Sequence, residues 1–198
     1  MKMTQLMKLM VAIGISALVM TGCSNKELHV DNKVKNEQMV SELEGAPKWV
    51  MSYGDDDDKV YGVGIAEPTH GDISFQRAMA MGAARDEIAR NISSKVKNML
   101  KSYKEKTGVT DDDGTYDKVA TDVSKQVANE TLRGSVAEDW WISKSGNLYI
   151  LVSMPKENIK ETVYEKTKSS FKNNKAMWQK FQAKQAQDEL KAEIDSEF

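Results

Sequence analysis

Soft ligands and nucleophiles are scarce in these 198 residues: one cysteine, Cys23, and two histidines, His29 and His70. A single cysteine excludes an internal disulfide framework, so stability must come from a packed core. The histidines lie far apart in sequence, and a zinc site needs more nitrogen or sulfur ligands than these. No Ser-His or Cys-His pair is suggested. The expectation is therefore no catalytic residue, no metal and no cofactor. Positive charge is also in short supply. Lys and Arg total 28 against 30 acidic residues, a net charge of −2, which offers no basic patch for nucleic acid. Long apolar runs are absent too. Leu9–Met20 is the longest, about a dozen residues, where a membrane-crossing helix needs roughly 20.

What is present at the start reads as an export signal. Lys2 and Lys8 precede the apolar run, and Met20-Thr21-Gly22-Cys23 follows it. A basic segment, a short apolar segment and small residues before a cut match a secretory signal. The cysteine makes it a bacterial lipoprotein signal, with methionine standing where leucine is usual. Residues 1–22 would be removed and Cys23 acylated, giving a membrane anchor firmer than a single chain supplies. Ser24, rather than aspartate, favours sorting to the outer membrane. The alternatives open at this point are an ordinary signal before a free cysteine, and a buried first helix. Loss of Lys2 and Lys8 from 28 basic residues leaves a mature net charge of about −4.

Residues 23–44 are polar and read as a disordered tether. Folded structure is expected from Gly45-Ala46-Pro47-Lys48-Trp49-Val50, with Trp49 a lid on the core edge. A strand near Trp49 is an option. Val60–Ala66 has strand propensity, with Val63 and Ile65 on one face and Gly62, Gly64 and Ala66 on the other. The bare face invites close approach of a helix. That helix follows Asp72 or Ser74 as N-cap. Its expected stripe is Phe75, Ala78, Met81, Ala84, Ile88, Ile92, Val96, Met99 and Tyr103, all spaced by three or four. Met79 and Met81 are expected to pack, and Gly108 to stop the helix. A second helix is expected over Asp117–Leu132. Ser135–Ile142 and Leu148–Met154 read as a hairpin turning at Lys144-Ser145-Gly146-Asn147. Pro155 opens a further helix with Ile159, Val163 and Thr167 in its stripe, broken near Asn173-Asn174. The sum is an α+β domain over 45–170, a small antiparallel sheet packed against a long helix with additional central and C-terminal helices. Residues 171–198 are a charged helical extension; from Lys175 its apolar spacing is irregular, and it reads as frayed and solvated, with a partner helix or oligomer seam as the alternative.

Motifs with chemical potential fail on inspection. Asp55–Asp58 reads as a solvated turn, since consecutive aspartates lack distant partners for a calcium cage. Asp111-Asp112-Asp113-Gly114 is not an EF-hand, because Ala120 stands where a bidentate glutamate is needed. Gly62-Val63-Gly64 begins a dinucleotide fingerprint that Glu67 breaks. Glu138 and Asp139, adjacent on a strand, are expected on opposite faces. Trp140, Trp141 and Trp178 are the candidate partner-binding residues. Adjacent strand tryptophans face opposite ways, so one is expected in the core and the other either exposed to a partner or sister subunit or covered by the C-terminal helix.

Together these pieces resemble the Lpp-twenty lipoprotein family, named for the twenty-kilodalton outer-membrane lipoprotein of Helicobacter. The likeness rests on Cys23, Gly45–Val50, Gly62–Ala66, the Ala-rich helix around Ala78–Ala89, the polar central helix and Leu148–Val152. It spans roughly Gly45 to Val163. It implies an α+β domain at the outer membrane or cell surface, with no established catalytic residues. Some relatives are flagellum-associated and form periplasmic rings; others are surface antigens. The expected function is a non-enzymatic structural or interaction module, tethered to the membrane through lipidated Cys23, self-associating or binding envelope or flagellar proteins. The alternative is a ligand-binding lipoprotein using a groove between long helix and sheet.

Overall fold

The computed structural model describes residues 39–53, 56–108 and 114–198. The expected signal peptide, Cys23, His29, most of the expected tether, Asp55 and Asp111–Asp113 lie outside the described residues.

Pro47 fixes an extended entry (φ −57, ψ 152) into a short helix, α1, Lys48–Met51. This takes Trp49 out of any strand, so the sheet has three strands and not four. The chain then turns through Asp56, whose carboxylate accepts from the Asp58 and Lys59 N–H groups. Strand β1 is Lys59–Ala66. The long helix α2, Ile73–Thr107, starts at Asp72, whose side chain accepts from Phe75 N–H. It ends at Gly108, φ 61, a left-handed conformation that glycine adopts at least cost. Helix α3 is Thr115–Thr131. The hairpin follows: β2, Val136–Ile142, and β3, Leu148–Pro155, with Gly146 at φ 90 in the turn. Helix α4 is Lys156–Lys172, α5 is Lys175–Phe181 and α6 is Lys184–Glu197.

The order across the antiparallel sheet is β1-β3-β2. Central β3 is buried on both faces. One face carries Gly62, Gly64 and Ala66 opposite Val152, Ile150 and Leu148, and α2 lies on it. The glycines set the distance. A Cβ on Gly64 would stand 1.9 Å from Ala80 O and 2.4 Å from Ala84 N. One on Gly62 would stand 2.6 Å from Ala84 O. Helix backbone therefore rests on strand backbone, as the bare strand face implied. The α2 stripe differs from expectation in its first turns for the same reason. Gln76, Ala80 and Ala84 face the sheet, while Phe75, Ala78 and Met79 are exposed. Above Gly64 the approach of the Ala80 and Ala84 backbone leaves no room for a bulky side chain. Gln76 is admitted there because its amide donates to Ala66 O (3.1 Å) and Gly146 O (2.8 Å). From Ile88 to Tyr103 the stripe is as expected. Met81 packs against the core; Met79, 54% exposed, does not.

The residues expected to fray fold back instead. Met177, Phe181, Leu190, Ile194 and Phe198 join the core cluster. Phe171 stacks with Tyr103 at 6.0 Å and meets Phe181 edge-on at 5.6 Å. Helix α6 returns along α2, where Lys106 pairs with Glu189 and Glu193.

Candidate functional site

The sheet builds its most exposed feature at the β2 edge. Gly64, Ile150 and Trp140 form one cross-strand row. Helix α2 sits at the glycine end of that row, over β1 and β3, and leaves β2 uncovered. Trp140 is 58% exposed and Ile142, on the same face, is 41% exposed. Trp141 turns to the other face and packs half-buried on Tyr149, ring centroids 5.2 Å apart. The adjacent tryptophans thus divide as strand geometry requires. Trp178 is elsewhere. It is half-buried on α5, 5.8 Å from the Phe181 ring, with the Lys172 ammonium above it. The three tryptophans do not form one surface.

Residues 39–53 cross the face of the sheet opposite α2. At the turn end, Glu42 accepts from Ser145 Oγ (2.7 Å) and Asn147 Nδ2 (2.9 Å), and Glu44 pairs with Lys144. Midway, Trp49 Nε1 donates to Asp139 Oδ2 at 2.8 Å. At the far end Tyr53 stacks obliquely near Tyr61, 6.2 Å between centroids. Trp49, expected as a lid on the core edge, is half-buried on this face and tied to Asp139.

A bulge in β2 corrects the reading of Glu138 and Asp139. Ala137 pairs with Val152 and Asp139 with Leu151, so Glu138 is the inserted residue. Both acids consequently reach the same face, because a bulge breaks the two-residue alternation. Glu138 accepts from Lys59 Nζ (2.7 Å) and from Ser153 Oγ (2.5 Å). The lysine contact, then the serine bond, holds the Glu138 carboxyl below its ordinary range and raises Lys59. Asp139 Oδ1 accepts from the outward Trp140 N–H at 2.8 Å. At the opposite edge, Glu87 Oε2 accepts from Val63 N–H at 2.7 Å, and its other oxygen from Tyr53 O–H at 2.9 Å. Burial, then Glu87, pushes the Tyr53 phenol up to about 12. Each edge therefore has a carboxylate on an outward N–H, which disfavours addition of a strand at that point. No sequence motif marks Glu87 for this task, since its partner lies across the helix–strand packing.

The clamp at the turn end titrates. Hydrogen bonds from Ser143 and then Ser145 hold Glu42 below its ordinary value of 4.5, and Lys144 does the same for Glu44. A depressed carboxyl stabilises the clamp fully above 4.5 and loses that contribution as pH falls through the folded value. Residues 39–47 are expected to gain hydrogen-exchange and protease sensitivity below pH 4.5, before the core opens. Equal protection of this segment at pH 6 and pH 3 would contradict that.

Three further concavities are open surface features. One, of about 580 Å³, lies beside Tyr53, Val63, Ile65 and Glu87. A second runs between Arg90, Lys97 and Lys125, and a third between Lys106, Lys180 and Glu189. Between α2 and the sheet, at Gly62 and Gly64, helix and strand backbones are in contact; the first of these concavities lies beside that seam, between β1 and Glu87 of α2. His70 sits in an exposed turn at φ 50. Among the described residues no three His, Cys, Asp or Glu groups converge as metal ligands, and no helix is long and apolar enough to cross a membrane.

The family model described as LPP20 lipoprotein matches residues 47–155, from the entry of α1 to the end of β3. No curated protein matches the chain.

Proposed function

Because the chain belongs to the LPP20 lipoprotein family, we propose that it is an outer-membrane lipoprotein anchored through acylated Cys23. In this reading the folded domain is a non-enzymatic structural or interaction module in an envelope assembly, with a flagellum-associated one as the finer branch. The observation that supports an interaction role is Trp140. A tryptophan 58% exposed beside Ile142, on a sheet face that α2 leaves bare, is the kind of residue that anchors protein interfaces.

The test has two arms in cells. Cys23→Ala should move the protein from the detergent phase to the aqueous phase, or leave it uncleaved. Unchanged partitioning would end the anchor reading. A photo-crosslinker beside Trp140 should trap a discrete adduct in the parent, and Trp140→Ala should weaken that partner by about 2 kcal/mol or more, roughly 30-fold. A parent that gives only monomer, with no adduct, would remove the assembly reading.

A further inference from the structure

The exposed large apolar side chains are not spread evenly. Ile65 is 52%, Ile73 57%, Phe75 55% and Met79 54% exposed, and Ile142 joins them at the end of β2. All lie at the turn end of the sheet. The geometry on which this rests is direct. Gln76, in the first turn of α2, donates to Gly146 O in the β2–β3 turn, and Ile65 and Ile142 are the last or next-to-last residues entering that end. Met39 and Val40, also exposed, precede the Glu42 clamp on the same turn. The remaining large apolar exposures are Met51, Val136 and Trp140. Among the described residues of α3, α4, α5 and α6 there is none. Seven of the ten large apolar exposures among the described residues therefore gather at the turn end.

The N-terminal segment leaves from the apolar end. Residues 24–38 separate Cys23 from the described chain and span at most about 50 Å in any arrangement. Helix α2 alone is about 50 Å long. The turn end is where this segment joins the domain, through the Glu42 and Glu44 contacts.

We infer that the turn end rests on the surface of the bilayer, with Ile73, Phe75 and Met79 of α2 as its apolar contact. This rests on the reading of Cys23 as acylated. Exposed apolar side chains gathered at one end mark a protein or membrane contact, and the attachment of the N-terminal segment at that end is what favours the membrane. Charge selects the lipid. Glu42, Glu44, Glu67 and Asp72 at this end outnumber Lys144 and Arg77, so the surface suits zwitterionic phosphatidylethanolamine headgroups rather than a strongly anionic leaflet. Shallow burial of a phenylalanine and its neighbours at the start of α2, with the rest of the helix held off the bilayer, is the mode inferred.

The acylated full-length protein, reconstituted in vesicles of phosphatidylethanolamine and phosphatidylcholine, tests this. With Cys23 alkylated, Phe75→Cys carries the sole thiol for an environment-sensitive dye. Lys101→Cys, on an exposed position late in α2, is the control. The expected result is a blue-shifted dye at position 75, quenched several-fold more by nitroxide-labelled lipid than the dye at position 101. Equal, weak quenching at both positions on vesicle-bound protein would overturn the inference and leave the anchor standing. A blue shift at 75 that nitroxide lipid does not quench, and that disappears on dilution, would place a second copy there and also overturn it. Protein that stays off the vesicles, with Cys23 open to the dye, would remove the anchor reading and this inference with it.

Discussion

Replacing Gly64 with valine is expected to cost more than the about 1–3 kcal/mol usual for overpacking. The reason is the identity of the atoms in the way. A Cβ at Gly64 meets Ala80 O at 1.9 Å and Ala84 N at 2.4 Å, both backbone. No rotamer change can relieve that, so α2 must lift from the sheet. Lifting it opens the contacts of Ala80, Ala84 and Ile88, all at 0% exposure. Gly62→Ala should cost less, because one of its two closest atoms is the Ile88 side chain at 2.7 Å, although Ala84 O at 2.6 Å remains. Gly82→Ala is the internal control. Nothing lies within 4 Å of its Cβ, and alanine in a helix interior is favoured over glycine by about 0.5–1 kcal/mol. Urea midpoints should therefore fall in the order Gly82→Ala, parent, Gly62→Ala, Gly64→Val. A Gly64→Val chain with the parent's midpoint would show that the helix does not rest on the strand as described.

The same contact explains what the amino-acid pattern could and could not convey about α2. Its second half, beyond Ile88, packs on other helices, where bulk marks the buried face and periodicity finds it. Its first half packs on glycine, where the buried face is the one with least bulk. Periodicity weighted by hydrophobic size selects Phe75 over Gln76 there, and selects the wrong side. The glycines of β1 and the alanines of α2 were both visible; their register against each other was not, since it is set across the sheet. The bulge at Glu138 is another case. Strand alternation holds at Trp140 and Trp141, which divide between faces, and fails at Glu138 and Asp139, where one inserted residue resets it. The exposed tryptophan was therefore legible to within a choice of two. The clamp of Glu42 and Glu44 on the hairpin turn was not, because it joins polar residues about 100 positions apart with no spacing that marks either partner.

The tail after Lys175 teaches the converse lesson and carries the second large effect. Read as one segment, its apolar points are irregular. Divided at Gln182–Ala183, where α5 ends and α6 begins, each part is regular: Met177 and Phe181, then Ala186, Leu190, Ile194 and Phe198, four residues apart, all buried. The break resets the phase, and the reset hides the stripe. Its consequence is energetic. Phe181, 1% exposed, sits among Phe171, Trp178 and Tyr164 at 5.6, 5.8 and 6.5 Å. Phe181→Ala should cost about 3–5 kcal/mol, a large share of the about 5–15 kcal/mol that holds a domain together. A chain ending at residue 174 loses Phe181, Leu190 and Ile194 together and uncovers Phe171 and Tyr103. It is expected to lack near-ultraviolet circular dichroism and a cooperative urea transition, although it contains all of residues 47–155 and the whole of α4. Trp178→Leu, which keeps an apolar group at a half-buried site, should unfold cooperatively with a midpoint nearer the parent than Phe181→Ala. A truncated chain with the parent's midpoint would mean that the matched region folds without its C-terminal helices. A shifted or absent transition would make α5 and α6 structural walls of the domain that the anchor presents.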